Sequence, residues 1–292
     1  MHHTIVKEQL SDYFKVSPDE VIVIDRLKGG MSNSNYIASI HHQLYTFRIP
    51  GKNAFVFVNR QLEQYILELI RPLQIDGNAL IHMSVENGYK ISRYMEGTPL
   101  MQLVPADYYE EVASLLHQLH DSTLECIYDY APFERLANYE QLVHEVGLAH
   151  EATYYEIRDK FFSQKVRLQQ VLKVLCHNDS QPSNFIDTGD KVVLVDWEFG
   201  GNNDYLYDIA CYGNFDFNLA LGLLPVYLDR NPTKDELERL YLWRTFQCLQ
   251  WHNVALYKEA IGLSAELHLD FKQIATNYII KANALFEGYL HL

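Results

Sequence analysis

The chain has 292 residues, of which 48% are hydrophobic and 21% charged. That length can bury a large core or two lobes sharing a cleft, and the composition excludes a disordered chain. The net charge of −14 argues against a nucleic-acid partner; an acidic surface either favours a cationic ligand or simply aids solubility. Cys126, Cys176, Cys211 and Cys248 show no CxxC spacing. They read as reduced thiols in a cytoplasmic protein, not as a zinc site or a disulfide scaffold. The start, Met-His-His-Thr, lacks the basic end and apolar run of a signal peptide, and no apolar run is long enough to span a membrane.

In chain order, residues 4–14 predict a short amphipathic helix with Ile5, Val6, Leu10 and Tyr13 on one face, ended by Ser17-Pro18. Val21 to Leu27 alternates and is β-branched, which predicts a strand. Gly29, Gly30, Met31, Ser32 and Asn33 follow, with a return strand at Ser34–Ile40. Two glycines before small polar residues let backbone N–H groups approach a phosphate, but the same pattern makes an ordinary glycine hairpin. Arg48 lies among apolar residues on the third strand, so its partner is an anion, either a structural carboxylate or a phosphate. A helix over 56–71 offers Glu63 and Glu68 as that carboxylate. Short strands are expected near 79–83 and 88–94. The first 95 residues are therefore strands plus one long helix, and the remainder is rich in helix. The boundary falls at 95/96, with Tyr94, Met95, Glu96 and Gly97 as the hinge.

Helices are expected at 106–121, 138–147 and 152–173. His117 and His120 are three apart, a metal-ligand spacing that no third ligand in the helix completes. The stretch from Cys176 to Asp208 carries the chemistry. Asp179 and Asn184 stand five apart on a loop that Pro182 keeps from becoming a helix. Asp196 closes the apolar strand Val192–Val195. One carboxylate to accept a hydroxyl proton and two hard oxygen ligands for Mg²⁺ are what phosphoryl transfer to an alcohol needs. Residues 200–204 read as a polar turn and Tyr205–Tyr212 as a helix. Asp208 there can brace the loop through backbone or His177 hydrogen bonds, or merely complement the helix dipole. Thr233-Lys234-Asp235-Glu236 is a capping box opening a long aromatic helix to about Glu259, and a last helix runs over 268–289. Aromatic stripes are usually core, although Trp and Tyr faces also receive quaternary ammonium groups.

His177-Asn178-Asp179, Asn184, Asp196-Trp197-Glu198, Asn203-Asp204 and Asp208-Ile209-Ala210 together resemble the signature of the choline/ethanolamine kinase family, bacterial choline kinases in particular. That family belongs to the aminoglycoside-phosphotransferase group with its protein-kinase-like fold. Gly29 to Asn33 is similar to the family's phosphate loop, and Arg48 stands where choline kinases carry arginine. The resemblance implies an α+β, two-lobed fold. Residues 1–95 would form a nucleotide-binding lobe with a small antiparallel sheet, and 96–292 a larger, mainly helical catalytic lobe. It implies transfer of the ATP γ-phosphate to choline; the alternatives are a related amino-alcohol or thiamine kinase and, after these, an aminoglycoside phosphotransferase or a non-catalytic kinase-fold binding module.

Asp179 would be the catalytic carboxylate and Asn184 and Asp196 the Mg²⁺ ligands. Gly29, Gly30, Met31, Ser32 and Arg48 would hold the phosphates, with Glu63 holding Arg48. Tyr94, Met95 and Glu96 would line the adenine. His177 and Asp208 would support the loop. For the cationic acceptor the resemblance points to Trp197, Glu198, Tyr212, Trp243 and Trp251. The match weakens there, because Cys248 occupies the place three residues before Trp251 where choline kinases usually carry a second tryptophan.

Overall fold

The computed structural model describes residues 2–27, 33–77 and 79–292. The chain starts with helix α1 (His2–Phe14), then strands β1 (Ile22–Arg26), β2 (Asn33–Ile40) and β3 (Gln43–Pro50). Helix α2 (Arg60–Leu69) follows, then β4 (Leu80–Met83) and β5 (Lys90–Arg93). All five strands pair antiparallel in the order β1-β2-β3-β5-β4. α1 closes one face of this sheet through Val6 and Leu10, which share a core with Tyr36, Ala38, Ile40, Phe47, Ile49 and Ile91. Tyr13, expected on that apolar face, is exposed and stacks on His82 instead. The helix expected over 56–71 is shorter. Asn59 caps it by accepting from the N–H groups of Gln61 and Leu62, and 3-10 turns flank it at Ala54–Val56 and Arg71–Leu73.

The remainder is mostly helical. After a two-residue strand β6 (Thr98–Pro99) come α3 (Tyr109–His120), α4 (Pro132–Glu145), α5 (Ala152–Phe162) and α6 (Lys165–Gln169). α4 begins six residues earlier than its apolar period suggested, because Pro132 sits at the first helical position, where its missing N–H costs nothing. The helix expected over 152–173 is two helices, broken at Ser163-Gln164. Then β7 (Val174–Cys176), β8 (Phe185–Asp187), β9 (Val192–Leu194) and β10 (Gly201–Asn203) frame the central loops. β8 and β9 form a hairpin, and β10 pairs with β7, so part of the expected polar turn is a short strand. α7 (Tyr205–Tyr212), α8 (Phe217–Leu228), α9 (Lys234–Ala260), α10 (Leu263–Leu267) and α11 (Phe271–Leu290) complete the chain. The capping box of α9 forms as expected, Thr233 Oγ1 accepting from Glu236 N–H and Glu236 accepting from Thr233 N–H.

The fold is thus α+β, a small antiparallel sheet beside a larger helical body, with α9 packed along α11 at its centre. The larger core also takes in Val58, Ile66, Leu67 and Ile70. α2 therefore lies between the sheet and the helical body. Gly200 allows this close approach, since a Cβ there would stand 2.6 Å from the Ile66 side chain. That contact sets α2 directly against the turn after Glu198.

Candidate active site

The loop after β7 carries Asp179. It leaves the strand through Asn178, whose φ of 65° is left-handed, a region that asparagine tolerates better than most residues. The Asn178 side chain secures the turn by donating to the carbonyls of Phe199 and Gly201 and accepting from Asn203 Nδ2 at 2.8 Å. Asp208, on α7, accepts from the N–H groups of His177 at 2.8 Å and Asn178 at 2.7 Å, and from Ser180 Oγ at 3.0 Å. Its fourth donor is His120 Nε2 of α3, at 3.0 Å. Burial alone would raise the Asp208 carboxyl, but the His120 hydrogen bond, together with His177, holds it below the ordinary range.

His177 is buried and held as one neutral tautomer. Its Nδ1 accepts from Asp179 N–H at 3.1 Å, so Nε2 carries the proton and donates to the Val195 carbonyl at 3.0 Å. Burial accordingly lowers its pKa. The Val195 peptide is gripped from the other side too, its N–H donating to the Asn184 carbonyl at 2.9 Å. Asp196, the next residue, is thereby fixed beside the loop, with a left-handed φ of 68°.

Asp179 and Asn184 meet as the spacing implied. Asn184 Nδ2 donates to the Asp179 carbonyl at 2.8 Å and to its carboxylate Oδ2 at 3.1 Å. This turns the carbonyl oxygen of the Asn184 amide the other way. Gln181 Nε2 also donates to Asp179 Oδ2, at 3.2 Å. Burial first, then the charges of Asp196 and Glu198, push the Asp179 carboxyl well above its ordinary pKa. Burial and Asp196 likewise push Glu198 up, to about 7.

On the opposite side, Glu63 selects itself over Glu68, which is exposed. Arg48 is 2% exposed and Glu63 0%, and they pair through two parallel hydrogen bonds of 2.6 and 2.9 Å. Arg48 Nη2 also donates to the Gly88 carbonyl at 3.3 Å. Glu63 further accepts from Lys90 Nζ at 3.0 Å and Arg60 Nη1 at 2.6 Å. Burial would raise this carboxyl; Lys90, then Arg48 and Arg60, outweigh it and hold Glu63 below the carboxylate range.

Arg60 was not singled out in the sequence, and Asn33 was read only as the end of the phosphate loop. Arg60, 2% exposed, also donates to Glu198 Oε2 at 3.1 Å and to Asn33 Oδ1 at 3.1 Å, while Asn33 Nδ2 reaches the same Glu198 oxygen at 3.3 Å. These two side chains join the Glu63 cluster to the Asp196-Trp197-Glu198 run. Arg60 gave a partial signal: as the first residue of α2, it stands three before Glu63. Nothing local marked the pairing of Asn33 with Glu198.

The expected phosphate loop residues Gly29, Gly30, Met31 and Ser32 lie outside the described residues. Tyr94 donates its N–H to the Leu44 carbonyl, Met95 packs beside Gly77, and Glu96 is exposed. Three of the five residues expected around the acceptor are core instead. Trp243 is 1% exposed, donates its indole N–H to Asp204 Oδ2 at 2.8 Å, and sits among Phe133, Phe161, Tyr207 and Phe246. Trp197 is buried, donates to the Leu194 carbonyl and packs against the His177 ring. Tyr212 is buried, with its hydroxyl donating to the Pro105 carbonyl.

Trp251 differs. It lines a cavity of about 190 Å³ together with Phe57, Tyr139, Phe199 and Tyr257; Asn33, Arg26, Lys52, Lys258 and Glu266 also line it. A separate cluster, His120, Cys176 and Asp208, brings ligand-type atoms together, supplying partners that the histidine spacing in α3 lacked. Both His120 nitrogens are engaged there, with Asp208 and with the Tyr227 hydroxyl, so hydrogen bonding accounts for the cluster.

The family model of choline/ethanolamine kinase matches residues 24–218. Protein LicA of Haemophilus influenzae is 26% identical over 192 residues, 62% of this chain and 55% of that protein, so the match spans little more than half of that relative. The crystal structure of choline kinase LicA from Streptococcus pneumoniae is 28% identical, covers 99% of both chains and superposes with a TM-score of 0.81. A structure of LicA in complex with AMP is 27% identical, covers 98% of both chains and has a TM-score of 0.78.

Proposed function

This chain belongs to the choline/ethanolamine kinase family of phosphotransferases that act on an alcohol, and we propose that it transfers the γ-phosphate of ATP to the hydroxyl of choline, giving phosphocholine. The observation that carries this reading is the buried Asp179–Asn184 pair, with Asp196 fixed beside it by the Val195 peptide. Asp179 accepts and orients the hydroxyl proton. Its carboxylate is locked in direction by two amide donors, so the hydroxyl meets a fixed lone pair.

Asp196 brings a third carboxylate beside the buried Asp179 and Glu198, and Arg60 donates to Glu198 there. That excess of negative charge, with the outward carbonyl of Asn184, fits a divalent cation bound by Asn184 and Asp196. Mg²⁺ bound there would neutralise charge on the ATP phosphates. Arg48 and Arg60, set by Glu63, would supply positive charge on the phosphate side. The nucleotide is assigned to the cleft between residues 1–95 and 96–292, with the adenine against Tyr94, Met95 and Glu96.

Choline as the acceptor is supported by the likeness to the pneumococcal choline kinase and by the aromatic cavity. Phe199, directly after Glu198, lies 6.3 Å from Trp251, ring to ring, at 83°. Aromatic faces stabilise a quaternary ammonium without a hydrogen bond, which a trimethylammonium group cannot make. We assign the reaction to the cytoplasm, in keeping with four free cysteines. Among the described residues no helix is long and apolar enough to cross a membrane.

The test is ADP release from Mg-ATP with choline, ethanolamine, thiamine or kanamycin as acceptor. Choline should give the highest kcat/KM. A preference for another alcohol would overturn the acceptor, and no turnover on any would overturn the kinase reading. Asp179→Ala should abolish turnover while ATP binding persists. A variant retaining more than about a tenth of the rate would remove the base assignment.

A further inference from the structure

Among the described residues, Gln181 is one of two side chains that hydrogen-bond the Asp179 carboxylate, and a chain of directed hydrogen bonds runs back from it into α9. Gln181 Oε1 accepts from Asn214 Nδ2 at 2.7 Å. Asn214 Oδ1 accepts from Arg244 Nη2 at 2.7 Å, and the same nitrogen donates to the Asn214 backbone carbonyl at 3.2 Å. Arg244 is 2% exposed and is aimed by Gln247, whose Oε1 accepts from Nη1 at 2.7 Å. Gln247 is itself oriented, because its Nε2 donates to the Tyr207 carbonyl at 3.0 Å.

The polarity of this chain matters more than its length. An amide side chain is nearly symmetrical in shape but presents a donor at one end and an acceptor at the other. A guanidinium can only donate. Arg244 therefore obliges Asn214 to face it with oxygen and to turn its NH₂ towards Gln181. Gln181 must answer with oxygen, which leaves its own NH₂ facing Asp179 Oδ2 at 3.2 Å. With Gln181 reversed, an oxygen lone pair would face the carboxylate and repel it; with Asn214 reversed, two amide oxygens would face each other until Gln181 reversed too.

We propose that Arg244, through Asn214, is a positioning residue that fixes the amide orientation of Gln181 and thereby the direction of the Asp179 carboxylate. The proposal rests on the kinase reading above. It places part of the catalytic geometry in α9, 65 residues from Asp179.

Asn214→Asp is the discriminating variant. It is isosteric and keeps the acceptor for Arg244, but has no N–H for Gln181, so the Gln181 amide reverses. The assay uses whichever acceptor the wild type turns over best. The kcat of Asn214→Asp should fall about tenfold or more, with the KM for ATP unchanged within twofold and an unaltered melting temperature. Arg244→Met should lower kcat similarly. The added charge of Asn214→Asp is controlled in a Gln181→Ala background. There the Asn214→Asp substitution should cost nothing further, whereas a bare charge effect would persist. A persisting loss, or a kcat within twofold of wild type in Asn214→Asp, overturns the relay. A readout independent of turnover is the side-chain ¹⁵N–¹H pair of Gln181, assigned by its loss in Gln181→Ala. It should shift in Asn214→Asp and in Arg244→Met, and an unmoved pair would refute the relay even if no acceptor were found.

Discussion

Two buried carboxylates, Glu63 and Asp208, anchor opposite sides of the site and are held by different physics. Glu63 is surrounded by three cations, Arg48, Arg60 and Lys90. Asp208 accepts from two backbone N–H groups, a hydroxyl and an imidazole. The first arrangement fixes where positive charge sits, which suits a phosphate-facing wall. The second fixes the path of the backbone, which suits a loop whose one carboxylate must point accurately. Charge balance governs one side and donor direction the other.

Amide replacements separate the two. Glu63→Gln keeps shape but strands buried guanidinium groups, and should cost about 3–5 kcal/mol of unfolding free energy in urea titration. Asp208→Asn turns an NH₂ group towards two donors and should cost less, about 2–3 kcal/mol. Its larger effect should be on kcat, with the ATP affinity little changed. If Asp208→Asn weakened ATP binding as strongly as Glu63→Gln, the division would fail.

A pH titration sharpens the contrast from outside the site. Burial holds His252, between α9 and α11, down to about 4, its Nδ1 meeting the Ala275 carbonyl. As pH falls below about 6.5 the unfolded chain takes up a proton at this site that the folded chain refuses, so the contribution of His252 to stability declines until about pH 4, while Glu198, held up at about 7, works in the opposite sense. The loss should reach on the order of 2–3 kcal/mol. His252→Gln should flatten that part of the profile. Glu63 and Asp208, both held below the ordinary carboxylate range, keep their contribution through that window and lose it only in stronger acid. The smallest effect is expected at the cavity: Trp251→Ala should raise the choline KM about tenfold and leave the ATP KM within twofold. Equal changes in both constants would make Trp251 a core residue.

Much of the site was legible because its residues are close in sequence. Asp179, Asn184 and Asp196 fall within one loop and hairpin, and Asp208 follows on the next helix. Arg48 and Glu63 could be paired because a buried arginine demands a carboxylate and the next helix offers two. The pairing of Asn33 with Glu198 was not legible, since the two lie 165 residues apart and no local pattern announces it. Trp243 misled because an aromatic on a long helix looks alike in a core and in a cage; its burial and its indole bond to Asp204 distinguish them. α8 escaped for a related reason. It is apolar almost throughout and contains Pro225, so neither an amphipathic period nor an unbroken run marks it.

Asp196 combines a left-handed backbone with a place beside two buried acids, Asp179 and Glu198. Both features oppose folding, although the Arg48 guanidinium attracts the Asp196 carboxylate. Asp196→Asn would relieve the repulsion without changing shape, so the variant should melt higher than the wild type while losing turnover. A screen of this chain for thermostability alone would therefore select against its catalytic function, and the substitution it favoured would mark a site where activity was retained at the expense of stability.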